Sequence, residues 1–171
     1  PLLEESSQGG VKMNETYQKY LTYVKQYLTE HKGIESPNPL HPFRSRFQHS
    51  IRVLHWCQRL AEGLENVDKE ALYTAAIFHD IGYENRNNEC HAQRSAQAFH
   101  EYAKAQGMDE SFSGKVEELI ACHSDKNRMR EQGAGLEMIL LMEADLMDEE
   151  GAMGIVWDCM TMGNAHASSY A

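Results

Sequence analysis

The sequence predicts an all-α fold. Apolar residues recur at three- and four-residue intervals in six separate stretches, and no stretch has the alternating β-branched pattern of a half-buried strand. Glycines, prolines and capping residues cluster at the borders of those stretches. No internal repeat is present, so the expected architecture is a compact bundle of about six or more helices rather than a solenoid.

Tyr17, Tyr20, Leu21, Val24, Tyr27 and Leu28 mark a first amphipathic helix ending near Gly33. The prolines of Ser36-Pro37-Asn38-Pro39 and Pro42 then impose an extended loop. A second helix is expected from about Ser45 to Leu64, with Val53, Trp56, Cys57, Leu60 and Leu64 on its apolar stripe and Gly63 near its end. His49 shares that stripe. Asp68 can cap a third helix running through Leu72, Ala75, Ala76 and Phe78, and Gly82 supplies a stop directly after His79-Asp80-Ile81. The fourth covers Cys90 to Ala105, with Ala92, Ser95, Ala96, Phe99 and Tyr102 facing inward and Gly107 closing it. The fifth runs from about Gly114 to Cys122 or His123, with Val116, Leu119, Ile120 and His123 on one side. A polar, locally basic loop, Ser124 to Gly135, precedes a sixth helix from Leu136 to Asp148, which aligns Met138, Leu141, Met142 and Asp145. Ile155-Val156-Trp157 can start a further helix in a tail broken by Gly151, Gly154 and Gly163. Residues 1–12 lack periodicity and read as a loose leader or appended remnant, with Met13 a native start and residues 13–171 one domain.

A chain of 171 residues, 42% of them apolar, is long enough to enclose one core. The 26 acidic and 16 basic residues leave a formal net charge of -10, which offers no general attraction for a nucleic acid polymer or an anionic membrane. An anionic substrate must be held by a local site. The longest apolar run, Met138 to Met142, is far short of the roughly 20 residues that span a bilayer. With no secretion signal in view, the expectation is a soluble, cytoplasmic protein, monomer or homodimer. Cys57, Cys90, Cys122 and Cys159 form no C-x-x-C pair and read as free thiols, Cys57 and Cys122 as inert core residues. The methionines at 138, 142, 147, 153, 160 and 162 read as packing.

Four polar residues fall where the helices should bury apolar ones: His49, His79 with Asp80, and Asp145. Burying a carboxylate is costly unless it is paired or metal-bound, so two such acids among histidines point to a cation. Adjacent side chains on a helix point about 100° apart. His79 and Asp80 can therefore share one centre only at a helix end, which Gly82 provides. Two imidazoles and two carboxylates suit Mn²⁺, Fe²⁺, Co²⁺, Ni²⁺, Zn²⁺ or Mg²⁺, with positions left for water.

The order His49, then Ala75-Ala76-Ile77-Phe78-His79-Asp80-Ile81-Gly82, then Asp145 resembles the H...HD...D signature of the HD superfamily of metal-dependent phosphohydrolases. His49-Ser50-Ile51-Arg52-Val53 is similar to that family's first helix motif and Ala144-Asp145-Leu146-Met147-Asp148 to its last, a likeness covering about residues 43 to 158. The resemblance implies an HD-domain helical bundle and a divalent metal on His49, His79, Asp80 and Asp145. It also implies hydrolysis of a phosphate ester or anhydride of a small, nucleotide-like substrate by a metal-activated water. Binuclear relatives carry two further histidines, and His91 and His123 are the candidates here. His91 follows Asp80 by only 11 residues. That spacing leaves a second metal and a role in orienting ligands or contacting phosphate equally open for this pair, and favours one ion over two. Relatives that hydrolyse alarmones or nucleoside monophosphates have Glu three residues after the HD aspartate, where this chain has Tyr83 followed by Glu84. The departure counts against those two activities and leaves Asp80 and Glu84 as the candidate catalytic acids or bases. Arg46, Arg94, Lys126 and Arg128 lie near the candidate ligands and can hold a phosphate.

Two rival readings use the same residues. An HD-fold di-iron oxygenase would need His49, His79, Asp80, His91, His123 and Asp145 together, and a regulatory module would bind a nucleotide without turning it over. His31, His41, His55, His100 and His166 read as surface or structural residues.

Overall fold

The computed structural model describes residues 14–31, 45–83 and 90–150, together with 154, 155 and 159, and the side chains of all of these but 149 and 150. At the centre, among the described residues, is the shortest of six α-helices, α3 (Lys69–Phe78), in which Ala71, Leu72, Thr74, Ala75, Ala76, Ile77 and Phe78 are all buried. A helix buried almost all round beyond its first turn is stable only when other helices enclose it. Here α1 (Glu15–Glu30), α2 (Arg46–Leu60), α5 (Glu110–Cys122) and α6 (Leu136–Glu150) pack around it, α2 also lies along α6, and α4 (His91–Gln106) pairs with α5. No strand occurs among the described residues, and the predicted all-α class stands.

Local chemistry sets the helix borders. Asp68 caps α3 as expected, its side chain accepting from Ala71 N at 3.0 Å. Glu137 and Lys115 reinforce this start: Glu137 Oε1 accepts from Asp68 N at 2.8 Å, and Lys115 Nζ reaches both carboxylates. Ser45 caps α2, which ends at Leu60 rather than Leu64. A turn with Gly63 at φ +75° carries Leu64 back onto the core. α5 starts four residues before Gly114, because Asp109 caps it through Phe112 N at 2.9 Å. The loop after α5 contains a 3₁₀ turn, Lys126–Arg130. Aromatic side chains weld α1, α3 and α4, with Phe78 edge-on to Tyr20 and Phe99 at ring separations of 5.6 and 5.0 Å.

The end of α3 is where the fold shapes the site. Gly82 does not use a positive φ to stop the helix. A Cβ on it would lie 2.4 Å from Ser95 N and 2.6 Å from the Arg94 carbonyl carbon, so glycine lets the His79-Asp80 turn rest on the backbone of α4. Gly82 N donates to Ser95 Oγ at 2.9 Å and Arg94 Nε donates back to Gly82 O at 3.0 Å.

Cys57 is buried, whereas Cys122 is half-buried. Met142 is fully enclosed, but Met147 departs from its packing role and is 36% exposed. His31, His55 and His100 are on the surface, as expected. The leader, Met13, the proline loop, His41, His166 and most of the tail helix fall outside the described residues.

Candidate metal centre

Three histidines have the same hydrogen-bond arrangement. His79 Nδ1 lies 2.8 Å from Ala76 O, His123 Nδ1 2.7 Å from Ile120 O, and His49 Nδ1 2.7 Å from Asp148 Oδ2. Carbonyl and carboxylate oxygens only accept, so in each ring Nδ1 carries a proton, and Nε2 faces the pocket. His79 and His123 sit just past the ends of α3 and α5, where the last turn leaves carbonyls without helical partners. His49 lies in the first turn of α2.

The Nε2 atoms converge on two carboxylates. Asp145 Oδ1 is 3.1 Å from His49 Nε2 and 3.8 Å from His79 Nε2. Asp80 stands between two imidazole pairs. Its Oδ2 is 3.6 and 3.8 Å from His49 and His79, and its Oδ1 is 3.4 and 3.6 Å from His91 and His123. The Nε2 atoms within each pair are 3.1 and 3.2 Å apart. His49, His79 and Asp145, and separately His79, Asp80 and His123, each offer ligand atoms within 4.8 Å of one another. Imidazole lone pairs meeting in a space this dry repel unless a proton or a cation lies between them, and the nitrogen and oxygen donors suit a divalent ion. The residues present fit the implied metal. Sequence spacing favours one ion; the bundle also brings His91 and His123 to the second oxygen of Asp80.

Electrostatics agree with this. Burial pushes both carboxyls upward, yet both are held well below the usual carboxylate range: Asp80 by the neighbouring His79, Arg46, His123 and His49, and Asp145 by His49, His79 and Lys126. His79, entirely enclosed, is driven down to about 4 by burial and is the neutral imidazole a metal needs. Burial opposes charge on His49 as well, but hydrogen bonds to Asp145 and Asp148 and the field of Asp80 raise it to about 9.

A cleft of about 240 Å³ opens on this cluster, lined by Arg46, Asp80, Tyr83, His91, His123, Ser124, Lys126 and Asp145. Arg46 Nη1 donates to Asp80 Oδ2 at 2.9 Å while its guanidinium lies 3.7 Å over the Tyr83 ring. Lys126 Nζ contacts Asp145 Oδ2 at 2.5 Å and the His123 carbonyl at 3.0 Å. The other two candidate phosphate binders are placed elsewhere. Arg94 braces the Gly82 turn, and Arg128 Nη1 contacts Cys122 Sγ and lines a separate hollow with Glu118 and Glu131. Glu84 lies outside the described residues. Sequence reasoning gave no role to Asp148 or Arg52, although an acid three residues after Asp145 on a helix shares its face.

The fold and the cluster define an all-α protein whose buried histidines and aspartates could hold divalent metal. The HD domain family model matches residues 46–150, more than half of the chain, and the chain belongs to that family. The match begins with the first residue of α2 and ends with the last of α6, so it takes in all six converging side chains. Neither the curated proteins nor the solved structures yield a match. No helix among the described residues is long and apolar enough to cross a membrane.

Proposed function

We propose that this protein is a metal-dependent phosphohydrolase that cleaves a phosphate ester or anhydride of a small, nucleotide-like substrate in the cytoplasm. The observation that carries this reading is the position of Asp80: each of its oxygens faces an imidazole pair, beside a cleft that also holds two basic side chains. His49, His79, Asp80 and Asp145 would hold one divalent ion, and His91 and His123 with Asp80 a second. A divalent ion held by these residues would supply a water of lowered pKa and polarisation of a phosphoryl oxygen. Arg46 and Lys126 bring positive charge to the mouth of the cleft, where a phosphate would replace part of their present pairing with Asp80 and Asp145. Tyr83, in the position that holds Glu in some relatives, adds an aromatic wall on which a base or sugar can rest. Among the described residues the groups that can take a proton in this cleft are the site's own: the Asp80 and Asp145 carboxylates and the His91 and His123 imidazoles. Glu84 is the further candidate.

The test is elemental analysis of the purified chain, followed by phosphate release from a panel of nucleotides and generic phosphate esters with Mn²⁺, Co²⁺, Ni²⁺ and Mg²⁺ in turn. Metal retention and turnover are expected. Asp80→Ala and His79→Ala should lose both while circular dichroism stays helical; undiminished metal in both variants would refute the ligand assignment. The convergence of all six donors also supports a di-iron oxygenase, which two irons per chain with oxygen consumption and no phosphate release would establish. Tight nucleotide binding without product would instead support the regulatory module.

A further inference from the structure

His49 is gripped from both sides by one turn of α6: Asp145 Oδ1 at 3.1 Å from Nε2, and Asp148 Oδ2 at 2.7 Å from Nδ1. Asp148 is itself held, since Arg52 Nε donates to its Oδ1 at 2.6 Å and Arg52 Nη2 to its Oδ2 at 3.0 Å, a two-point contact that fixes the plane of the carboxylate. Arg52 lies three residues after His49 on α2, so acceptor and brace come from facing turns of two helices packed along each other. Asp148 is 8% exposed. An acid in that setting needs its partners, and one partner is the outer nitrogen of a candidate ligand.

We infer that Asp148, braced by Arg52, is a positioning residue that holds His49 with its proton on Nδ1 and its Nε2 directed at the metal centre. The inference rests on the metal-centre reading and extends it to two residues outside the ligand set. His79 and His123 gain the same orientation from backbone carbonyls at helix ends, whereas His49 stands in the first turn of α2 and its Nδ1 is met by the Asp148 carboxylate of α6. A carboxylate there also raises the basicity of the imidazole as a ligand.

The experiment is calorimetric titration of the metal-free full chain with Mn²⁺ alone, at a temperature where wild type, Asp148→Ala, Asp148→Asn and Arg52→Gln are all shown to be folded. Asp148→Ala should weaken Mn²⁺ binding by about 10–100-fold, the usual cost of removing such a partner. Asp148→Asn retains an oxygen that accepts from Nδ1 and should fall between Asp148→Ala and wild type. Arg52→Gln should weaken binding in the same direction by less. A purely structural role would lower the melting temperature of the metal-free variants and leave the Kd of the folded protein unchanged. An Asp148→Ala affinity within threefold of wild type therefore overturns this inference and leaves the metal centre standing. A wild-type chain that takes up no Mn²⁺ overturns the metal centre first, and this inference with it.

Discussion

Arg46 reaches Asp80 across the mouth of the cleft, Nη1 to Oδ2 at 2.9 Å, with the guanidinium lying flat over Tyr83. An arginine so placed can exchange one carboxylate oxygen for a phosphate oxygen with little movement, because its plane is already fixed by the ring beneath it. Arg46→Ala is therefore expected to raise KM for a phosphorylated substrate by about tenfold, the equivalent of one charge-assisted hydrogen bond. Metal content should be retained, since the nitrogen and oxygen donors remain; elemental analysis alongside steady-state kinetics checks both.

Lys126 and Arg128 are two residues apart and should behave differently. Lys126 Nζ is on Asp145 in the cleft wall, whereas Arg128 is turned onto Cys122. Lys126→Ala is expected to raise KM several-fold. Arg128→Ala should leave KM within twofold of wild type, although both belong to the basic loop that marks them equally in the sequence. Measuring the two variants side by side on one substrate decides the matter.

Gly82→Ala tests the packing beneath the site. The added methyl meets the backbone of Ser95 and Arg94 rather than flexible side-chain ends, so the turn or α4 must move. We expect a loss of about 3 kcal/mol, read as a melting temperature lower by roughly 6–12 °C for a domain of this size. Metal affinity should fall as well, because the displaced turn carries His79 and Asp80.

The pH dependence of metal uptake has a definite sign. With no cation present, His49 is raised to about 9 by Asp145 and Asp148 in spite of its burial, and so is protonated at neutral pH; His79, pushed down to about 4, is not. A metal that takes His49 Nε2 must displace one proton there and none from His79. Affinity for Mn²⁺ is expected to rise about tenfold per pH unit between pH 7 and pH 8.5, flattening above 9. Calorimetry in buffers of different ionisation enthalpy should show close to one proton released per ion at that site. A flat profile over that range would contradict the protonated state of His49.

Periodicity and caps made most of the fold legible, because α3, α4 and α6 are amphipathic or fully apolar segments bordered by Asp68, Gly107 and Gly135. The start of α5 was hidden by Gly114, which reads as a border yet sits inside the helix in open space, while Asp109 does the capping. The end of α2 was hidden because Leu64 is apolar in the right phase, although it reaches the core from a turn. In the site, the buried polar residues stood out against their apolar stripes. Contacts between side chains distant in sequence did not: nothing in a linear pattern says that Arg128 turns to Cys122, that Arg94 turns to Gly82, or that Asp148 meets His49 from 99 residues away.

That last separation also bears on how the molecule comes apart. The side chains of the centre come from the beginning of α2, the ends of α3 and α5, the start of α4 and the last turns of α6, so a bound ion would act as a staple across almost the whole family-matched span. Closing so long a loop is entropically demanding for an unfolded chain. Loading the centre should therefore slow global unfolding and proteolysis far more than it alters the ease with which any one helix frays at its tip.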